Sequence, residues 1–524
     1  MILGNGKSSI TRAAGLMSVA TFISRILGYV KDMILAFYFG ATGISDSFFA
    51  AFRITNFLRE LFAEGSMSAA FIPVLTEHQV QKGEEEAKRL VKITFSFILV
   101  VSGIICVLGI LFAPTIVTLI TPGFLNSPEK FSLTVLLTRI MLPFLLFISL
   151  AAVAMGALNT KRVFFIPALA PAMLNITIII AVVSLVSFFN QPIVVVALGV
   201  AVGGFIQFVF QLPSFYKNGY QLGFVPRFRH PGLKRMAVLL LPATLALAVN
   251  QVYIIVSTIL ASFLPQGSIT YLYYSMRLMQ FPIGIIGVSM GIATLTTLSH
   301  HAAKGDFDKL REDFSFALRL LFFISIPAMA GLISLREPII NLLFQRGTFD
   351  YAATQATAEA LMFYSLGIWA TGGVKILTVT FYSLQNTKTP VKIAAVGVAT
   401  NLILSIILMG PLKHSGIALA YAIAFNVNFA LLFLFLRKKL ERIDTGKIFR
   451  SFVKIFFAAG IMGVIGGIIL RGSLWHFSGN IMNKVLYLSG TIALCIGVYF
   501  FLTYMLKSEE CSYIIGIIKS KMSR

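Results

Sequence analysis

Runs of about 20 apolar residues recur from one end of this chain to the other, and no other feature constrains its fold as strongly. Each run is long enough to cross a roughly 30 Å hydrocarbon core as a helix. In hydrocarbon every backbone polar group must be satisfied internally, which leaves helices or closed barrels. Barrel strands would alternate apolar and polar residues over about ten positions, and these runs do not alternate. With 57% hydrophobic and only 12% charged residues among 524, there is too little charge to cover a soluble surface. The expected class is an all-α polytopic membrane protein.

Fourteen spans are read, at about 13–40, 46–76, 93–120, 131–157, 163–188, 192–216, 235–263, 269–299, 313–335, 352–384, 390–411, 415–436, 451–470 and 482–506. The first is too long for a signal-peptide core and is read as a retained helix. With the N-terminus inside, most of the 43 Lys and Arg residues fall in the inner loops. The positive-inside rule therefore places both termini in the cytoplasm. The net charge of +23 then reads as topology signal and attraction to anionic headgroups, not as a nucleic-acid surface. Clusters such as Arg437-Lys438-Lys439 and the basic stretch 227–235 take that reading too. Every loop is too short for a catalytic domain.

Two pairs of segments repeat at nearly one spacing. GALNTKRVFFIP at 156–167 matches SLQNTKTPVKIA at 383–394, and Phe52-Arg53 aligns with Met276-Arg277. Six spans separate the copies, so both face the same way across the membrane. That is a parallel repeat, with substrate expected between the halves near the midplane. The organisation read from it is 1–224 as a six-helix N-lobe and 225–447 as a six-helix C-lobe. Residues 448–524 form a further helix pair and a cytoplasmic tail.

Charges inside the spans carry the functional reading. The stretch FFAAFRITNFLRELFAEGSMSAAFIP at 48–73 holds Arg53, Arg59, Glu60 and Glu64, although each charge at a bilayer centre costs about 2.5–3.5 kcal/mol on insertion scales. At 1.5 Å per residue, Lys31, Arg53 and Arg277 lie roughly 10–14 Å below the outer helix ends, with Arg25 and Arg59 deeper. Arg53, Asn56, Glu60 and Glu64 share one helix face. Arg277, Gln280, Gly284, Gly287 and Gly291 form a polar and small face in the other half. Arg139 and Arg319 lie near span ends and are expected to snorkel to the headgroups. Lys375 is read either as a cavity residue or as a partner of Glu359.

Two readings of the deep charges stand side by side. One is internal pairing: Asp32 with Lys31 or Arg25, and Glu60 and Glu64 with Arg59 or Arg53. The other is a cavity for an anion. The excess of deep basic residues over acids favours the anion, and forked arginine donors suit phosphate or pyrophosphate. Thr244, Asn250 and Gln251, with Thr400 and Asn401, offer oxygens to a cation, but polar contacts between helices are the preferred reading.

Chemistry-bearing motifs are otherwise sparse. Cys106, Cys495 and Cys511 make no metal or redox spacing. His78, His230, His300, His301, His414 and His476 are read as solvated residues at helix ends or in loops. Gly4-Asn5-Gly6-Lys7-Ser8 lacks the first P-loop glycine and a preceding strand, so transport would run on an ion gradient, on membrane potential or on product removal.

SRILGYVKD (24–32), SDSFFAAFRITNFLRELFAEGSMSAAFIPVL (45–75), GALNTK (156–161) and YYSMRLMQFPIGIIGVSM (273–290) closely resemble the MurJ (MviN) family of bacterial lipid II flippases. The resemblance covers essentially the whole chain and extends to the wider multidrug/oligosaccharidyl-lipid/polysaccharide exporter superfamily. It implies two six-helix lobes around a cavity, and movement of lipid-linked peptidoglycan precursor from the cytoplasmic to the outer leaflet by alternating access. It further implies a bacterial inner-membrane location and a role in cell wall and cell shape. The family's functional arginines match Arg25, Arg59 and Arg277. Lys31 stands at a position usually occupied by Arg, Asp32 follows it, Asp46 matches the outer-end aspartate, and Gln280 stands where an acid is common. In the family the two extra helices form a groove for the lipid tail.

On this reading Arg25, Lys31, Arg59 and Arg277 hold the pyrophosphate, helped by Arg53 and Asn56, while Asp32, Asp46, Glu60 and Glu64 pair and gate. No cofactor is expected, with coupling to Na⁺, H⁺ or the membrane potential. The expected partners are lipid II and membrane lipids, with the protein a monomer near cell-wall synthesis proteins. The rivals are a flippase for another polyprenyl-pyrophosphate glycan, a MATE-like drug/cation antiporter with an acid-rich cavity, and an enzyme on the lipid-linked precursor with acids or histidines clustered at one membrane face.

Overall fold

The structure, a computed structural model, describes residues 3–60, 65–441 and 443–522, and their side chains except at 3–14, 65–69, 241–250, 285–294, 518, 521 and 522. The described residues are helical with no strand, as burial of backbone groups in hydrocarbon requires. Nine helical segments among them are long and apolar enough to cross a membrane. The chain divides into two compact units, residues 1–266 and 267–524.

In the first unit the helices are α1 (Leu3–Phe39), α2 (Gly43–Arg59), α3 (Gly65–Lys82), α4 (Glu84–Leu111), α5 (Ala113–Ile120) and α6 (Pro128–Met141). They continue with α7 (Pro143–Thr160), α8 (Phe165–Leu185), α9 (Ile193–Val209), α10 (Leu212–Lys217) and α11 (Pro231–Ala261). Helix α8 packs on α1 and α9, while α7 touches α3, α4 and α9. Helix α11 lies against α3. The sequence repeat puts α11 at the head of the second half, yet by contacts it belongs to the first unit. Repeat order records how the chain is built, whereas contacts record where a helix rests.

The second unit holds α12 (Ser268–Lys304), α13 (Phe307–Ser334), α14 (Arg336–Phe344), α15 (Tyr351–Ser365) and α16 (Ile368–Ser383). The remaining helices are α17 (Lys388–Leu440), α18 (Thr445–Ile469), α19 (Ile481–Met505) and α20 (Glu509–Met522). Helices α4 and α13 are both 28 residues long, and each is followed by a short helix, α5 or α14. The next expected span is divided in both units. Pro143 opens α7 directly after α6, and Gly367 caps α16 directly after α15.

The spans expected at 390–411 and 415–436 occur within the 53-residue α17 and meet with no loop between them. Pro411 lies inside the helix, and Lys413 leaves helical geometry at φ 49°, ψ −132°. Proline lacks the N–H that would continue the ladder, and a non-glycine residue at positive φ is strained. The arms then approach so closely that a Cβ on Gly416 would lie 2.2 Å from the Leu408 carbonyl oxygen. Gly416→Val is therefore expected to force the arms apart and destabilise the protein by at least about 1–3 kcal/mol, the usual cost of overpacking. A thermal melt of the purified protein in detergent measures this, and an unchanged melt would refute the close approach.

The outer faces are apolar. On α18, Phe456, Phe457, Val464 and Ile468 are each more than half exposed, as are Leu486, Ile496 and Phe501 on α19. Apolar area this continuous marks a surface meant for lipid or another protein. One cluster, Leu335, Leu470, Trp475 and Leu488, ties the ends of α18 and α19 to the rest of the second unit.

Several expectations need correction. Arg319 does not snorkel: it is buried and bonds Glu509 and Glu510 at 2.6 and 2.9 Å. Burial there is tolerable because both acids come from α20, a surface helix that the expected spans did not include. His78 and His414 are buried, not solvated. His414 packs on the Tyr271 ring with its Nε2 2.9 Å from the Ala356 carbonyl oxygen.

Candidate functional site

The charged residues expected to form the site in the first unit lie on α1 and on α2 or just past its end. Lys31 and Asp32 are both buried, with Lys31 Nζ 3.0 Å from Asp32 Oδ1. The ammonium also lies 5.4 Å from the centre of the Phe52 ring on α2, a cation–π distance that helps to hold a desolvated charge. Phe52 is itself stacked on Phe48 at 5.6 Å. Arg25 is half-buried on α1. It is seven residues before Asp32, two helical turns along the same face. The neighbouring Ser24 carbonyl accepts from Asn175 on α8 at 3.3 Å, which fixes α1 against its neighbour.

On α2, Arg53, Asn56, Arg59 and Glu60 are all half-buried. Arg59 Nε donates to Asn56 Oδ1 at 3.0 Å, so Asn56 orients the guanidinium. Glu60 accepts a hydrogen bond from Gln251 Nε2 on α11. Glu64 lies outside the described residues. Asp46, near the start of α2, is buried and paired with Lys130 of α6 at 3.0 Å. Lys130 also sits 4.2 Å from the Phe124 ring, and Ser47 donates to the Lys130 carbonyl at 3.3 Å. The outer-end aspartate is thus locked to α6.

In the second unit, Arg277 is half-buried on α12 between buried Met276 and Leu278, and Gln280 is exposed. Gly284 is half-buried; Gly287 and Gly291 lie in the same helix, with surroundings outside the described residues. Lys375 on α16 is exposed. Of the residues offered to a cation, Thr244 and Asn250 have side chains outside the described set. Thr400 donates to the Val396 carbonyl at 2.9 Å, and Asn401 is buried on α17. Among the described residues no group of three or more His, Cys, Asp or Glu could hold a metal.

Sequence reasoning singled out the basic residues but missed three partners: Lys130, Gln251 and Phe52. A buried acid at a span end signals that a cation must be nearby, but the candidates are many. Only packing selects Lys130 from a helix more than 80 residues away.

This helical membrane fold, with basic residues held in buried or half-buried positions on its apolar helices, defines a polytopic membrane transporter. Residues 35–488 match the family model described as lipid II flippase MurJ. The chain is 36% identical over 459 residues to the lipid II flippase MurJ of Burkholderia cenocepacia, covering 87% of this chain and 89% of that one. It is 37% identical over 479 residues to a probable lipid II flippase MurJ of Buchnera aphidicola, covering 90% and 92% respectively. A solved lipid II flippase MurJ in an inward closed conformation superposes with a TM-score of 0.78 at 30% identity, covering 94% of this chain and 98% of that one. An inward-facing MATE-family transporter of the MOP superfamily, at 14% identity and a TM-score of 0.68 over 82% of this chain and 98% of that one, shares the fold. The chain belongs to the MurJ lipid II flippase family, a family of transporters and not of enzymes.

Proposed function

We propose that this protein moves lipid II, the polyprenyl-pyrophosphate-linked peptidoglycan precursor, from the inner to the outer leaflet of the bacterial cytoplasmic membrane by alternating access. It crosses the membrane fourteen times with both termini in the cytoplasm. The observation that carries the reading is the basic set on α1 and α2. Lys31 is held by Asp32 and Phe52, and Arg59 is oriented by Asn56, so the cations are pre-positioned in buried or half-buried sites where an anion is bound strongly. Arg25, Lys31 and Arg59 take the pyrophosphate, Arg53 lies on the same face of α2, and Arg277 handles substrate from α12. Asp32, Asp46, Glu60 and Glu64 pair and gate. A ligand shifts a conformational equilibrium only through its differential affinity for the two states. Pyrophosphate supplies such a difference by neutralising these cations in one state. The energy comes from Na⁺, H⁺ or the membrane potential, with the protein acting as a monomer.

The test is complementation of a strain depleted of its lipid II flippase, with the leaflet location of the precursor assayed directly. Growth is expected to be restored with precursor reaching the outer leaflet. Precursor retained in the inner leaflet, with the protein present in the membrane, would overturn the reading.

A further inference from the structure

A cavity of about 990 Å³ opens between α13, α14 and α18, inside the second unit. That is the size of a small-molecule pocket. Its α18 wall is a face of Gly460, Gly463 and Gly467, and Met329 and Ile333 face it from α13. Glycine in a helix interior is less favourable than alanine, and close packing does not require it at Gly460 or Gly467. A Cβ on Gly460 would meet nothing within 4 Å, and one on Gly467 would make only ordinary contact with Ser334 at 3.6 Å. Gly460 and Gly467 thus leave open space, while Gly463 lets α18 approach Ala330 of α13, at 3.4 Å from where its Cβ would lie.

The lining of α18 runs from Phe456 to Ile468, about 18 Å at 1.5 Å per residue, close to half of the roughly 30 Å hydrocarbon core. The groove therefore has the depth of one leaflet. At its end, just past the ends of α13 and α18, stand Arg336, Glu337 and Arg471. Glu337 already accepts from the Tyr351 hydroxyl at 2.8 Å. Arg336 uses Nη1 to donate to the Ile333 carbonyl at 2.6 Å, leaving its other donors to a ligand, and Arg471 is exposed. The mouth is thus cationic at headgroup height above an apolar slot.

We propose that this groove binds an anionic phospholipid, with an acyl chain along the glycine face of α18 and its phosphodiester on Arg336 and Arg471. With the orientation proposed above, the groove opens in the outer leaflet; the binding itself does not depend on that orientation. Both guanidiniums reach a phosphate with forked donors, and a zwitterionic lipid would offset that attraction with its own cation.

Native mass spectrometry of the full chain in detergent, titrated with phosphatidylglycerol, tests the site without any translocation assay, so its outcome is independent of the flippase reading. Phosphatidylglycerol is expected to bind more tightly than phosphatidylcholine of the same chain length. Arg471→Gln with Arg336→Gln should weaken it by about tenfold or more, given roughly 1 kcal/mol per basic residue at an anionic surface. Gly460→Phe, which fills open space, should abolish it with the thermal melt retained; this variant also decides the matter if the arginine double variant does not fold. Equal binding of the two lipids, or affinity unchanged in the arginine and glycine variants, would overturn the proposal. So would displacement of phosphatidylglycerol by an equal concentration of a polyprenyl phosphate, which would make the groove a substrate-tail site.

Discussion

Arg59→Ala is expected to abolish complementation of a flippase-depleted strain, and Arg25→Ala to do the same. Truncating one partner of a buried charge-assisted contact costs about 2–5 kcal/mol, which at 1.4 kcal/mol per tenfold is a loss of about 30-fold or more in substrate binding. Arg59→Lys should retain part of the activity, because a point charge remains while the fork is lost. Lys31→Arg should keep it, since an additional fork at that position still carries the positive charge that Asp32 balances. Asn56→Ala removes only the bond that orients Arg59, and its effect should be smaller than that of Arg59→Ala. Leaflet accessibility of the precursor, measured in each strain alongside the amount of protein in the membrane, separates lost transport from lost folding. Wild-type translocation by both alanine variants would falsify the anion-binding role.

The second large effect is expected at Arg319→Ala. The guanidinium bonds Glu510, which is 1% exposed, at 2.9 Å and Glu509 at 2.6 Å. Glu510 also accepts from the hydroxyls of Ser451 on α18 and Ser508, at 3.0 and 2.6 Å. Removing the arginine leaves a carboxylate buried without its counter-charge, and breaking a buried pair in this way costs about 3–5 kcal/mol. Helix α20 is held to α13 by this pair, so its backbone should become open to protease while the melt of the detergent-solubilised protein falls. Arg319→Met combined with Glu510→Gln should recover much of the loss, because the uncompensated charge is gone. An Arg319→Ala protein with the wild-type melt and a protected α20 would refute the assignment.

Acidification probes the same contact. The Arg319 guanidinium holds the Glu509 carboxyl below the usual carboxylate range, through its hydrogen bond and its charge. The folded pKa is thus lower than the unfolded one, so this contribution is complete above the unfolded value of about 4.3. It is lost as pH falls through the folded value. Protease sensitivity of α20 should rise over that acidic window and be flatter with pH in Arg319→Ala.

Legibility differed between elements for a physical reason. The apolar runs and the charges that interrupt them could be read directly, because the cost of placing a residue in hydrocarbon belongs to that residue and its neighbours along the helix. The motif around Arg59 likewise lies in one continuous stretch. The same logic failed at Arg319, whose position near a span end predicted snorkelling. Its counter-charges sit about 190 positions later, on a helix that no apolar run announces. His78 and His414 misled similarly, since a histidine near a helix end looks solvated until another helix covers it.

By itself, then, the sequence determined the helical membrane class, the positions of the apolar runs, and which basic residues interrupt them. The tertiary structure alone decided their partners: Lys130 for Asp46, Gln251 for Glu60, Phe52 beneath Lys31, and the α20 carboxylates for Arg319. It also decided that the arms of α17 meet without a loop, and that a cationic groove lies beside α18. Insertion energies sum along a chain and can be read in order. A charge pair depends on which helices touch, and that is settled only when the helices pack.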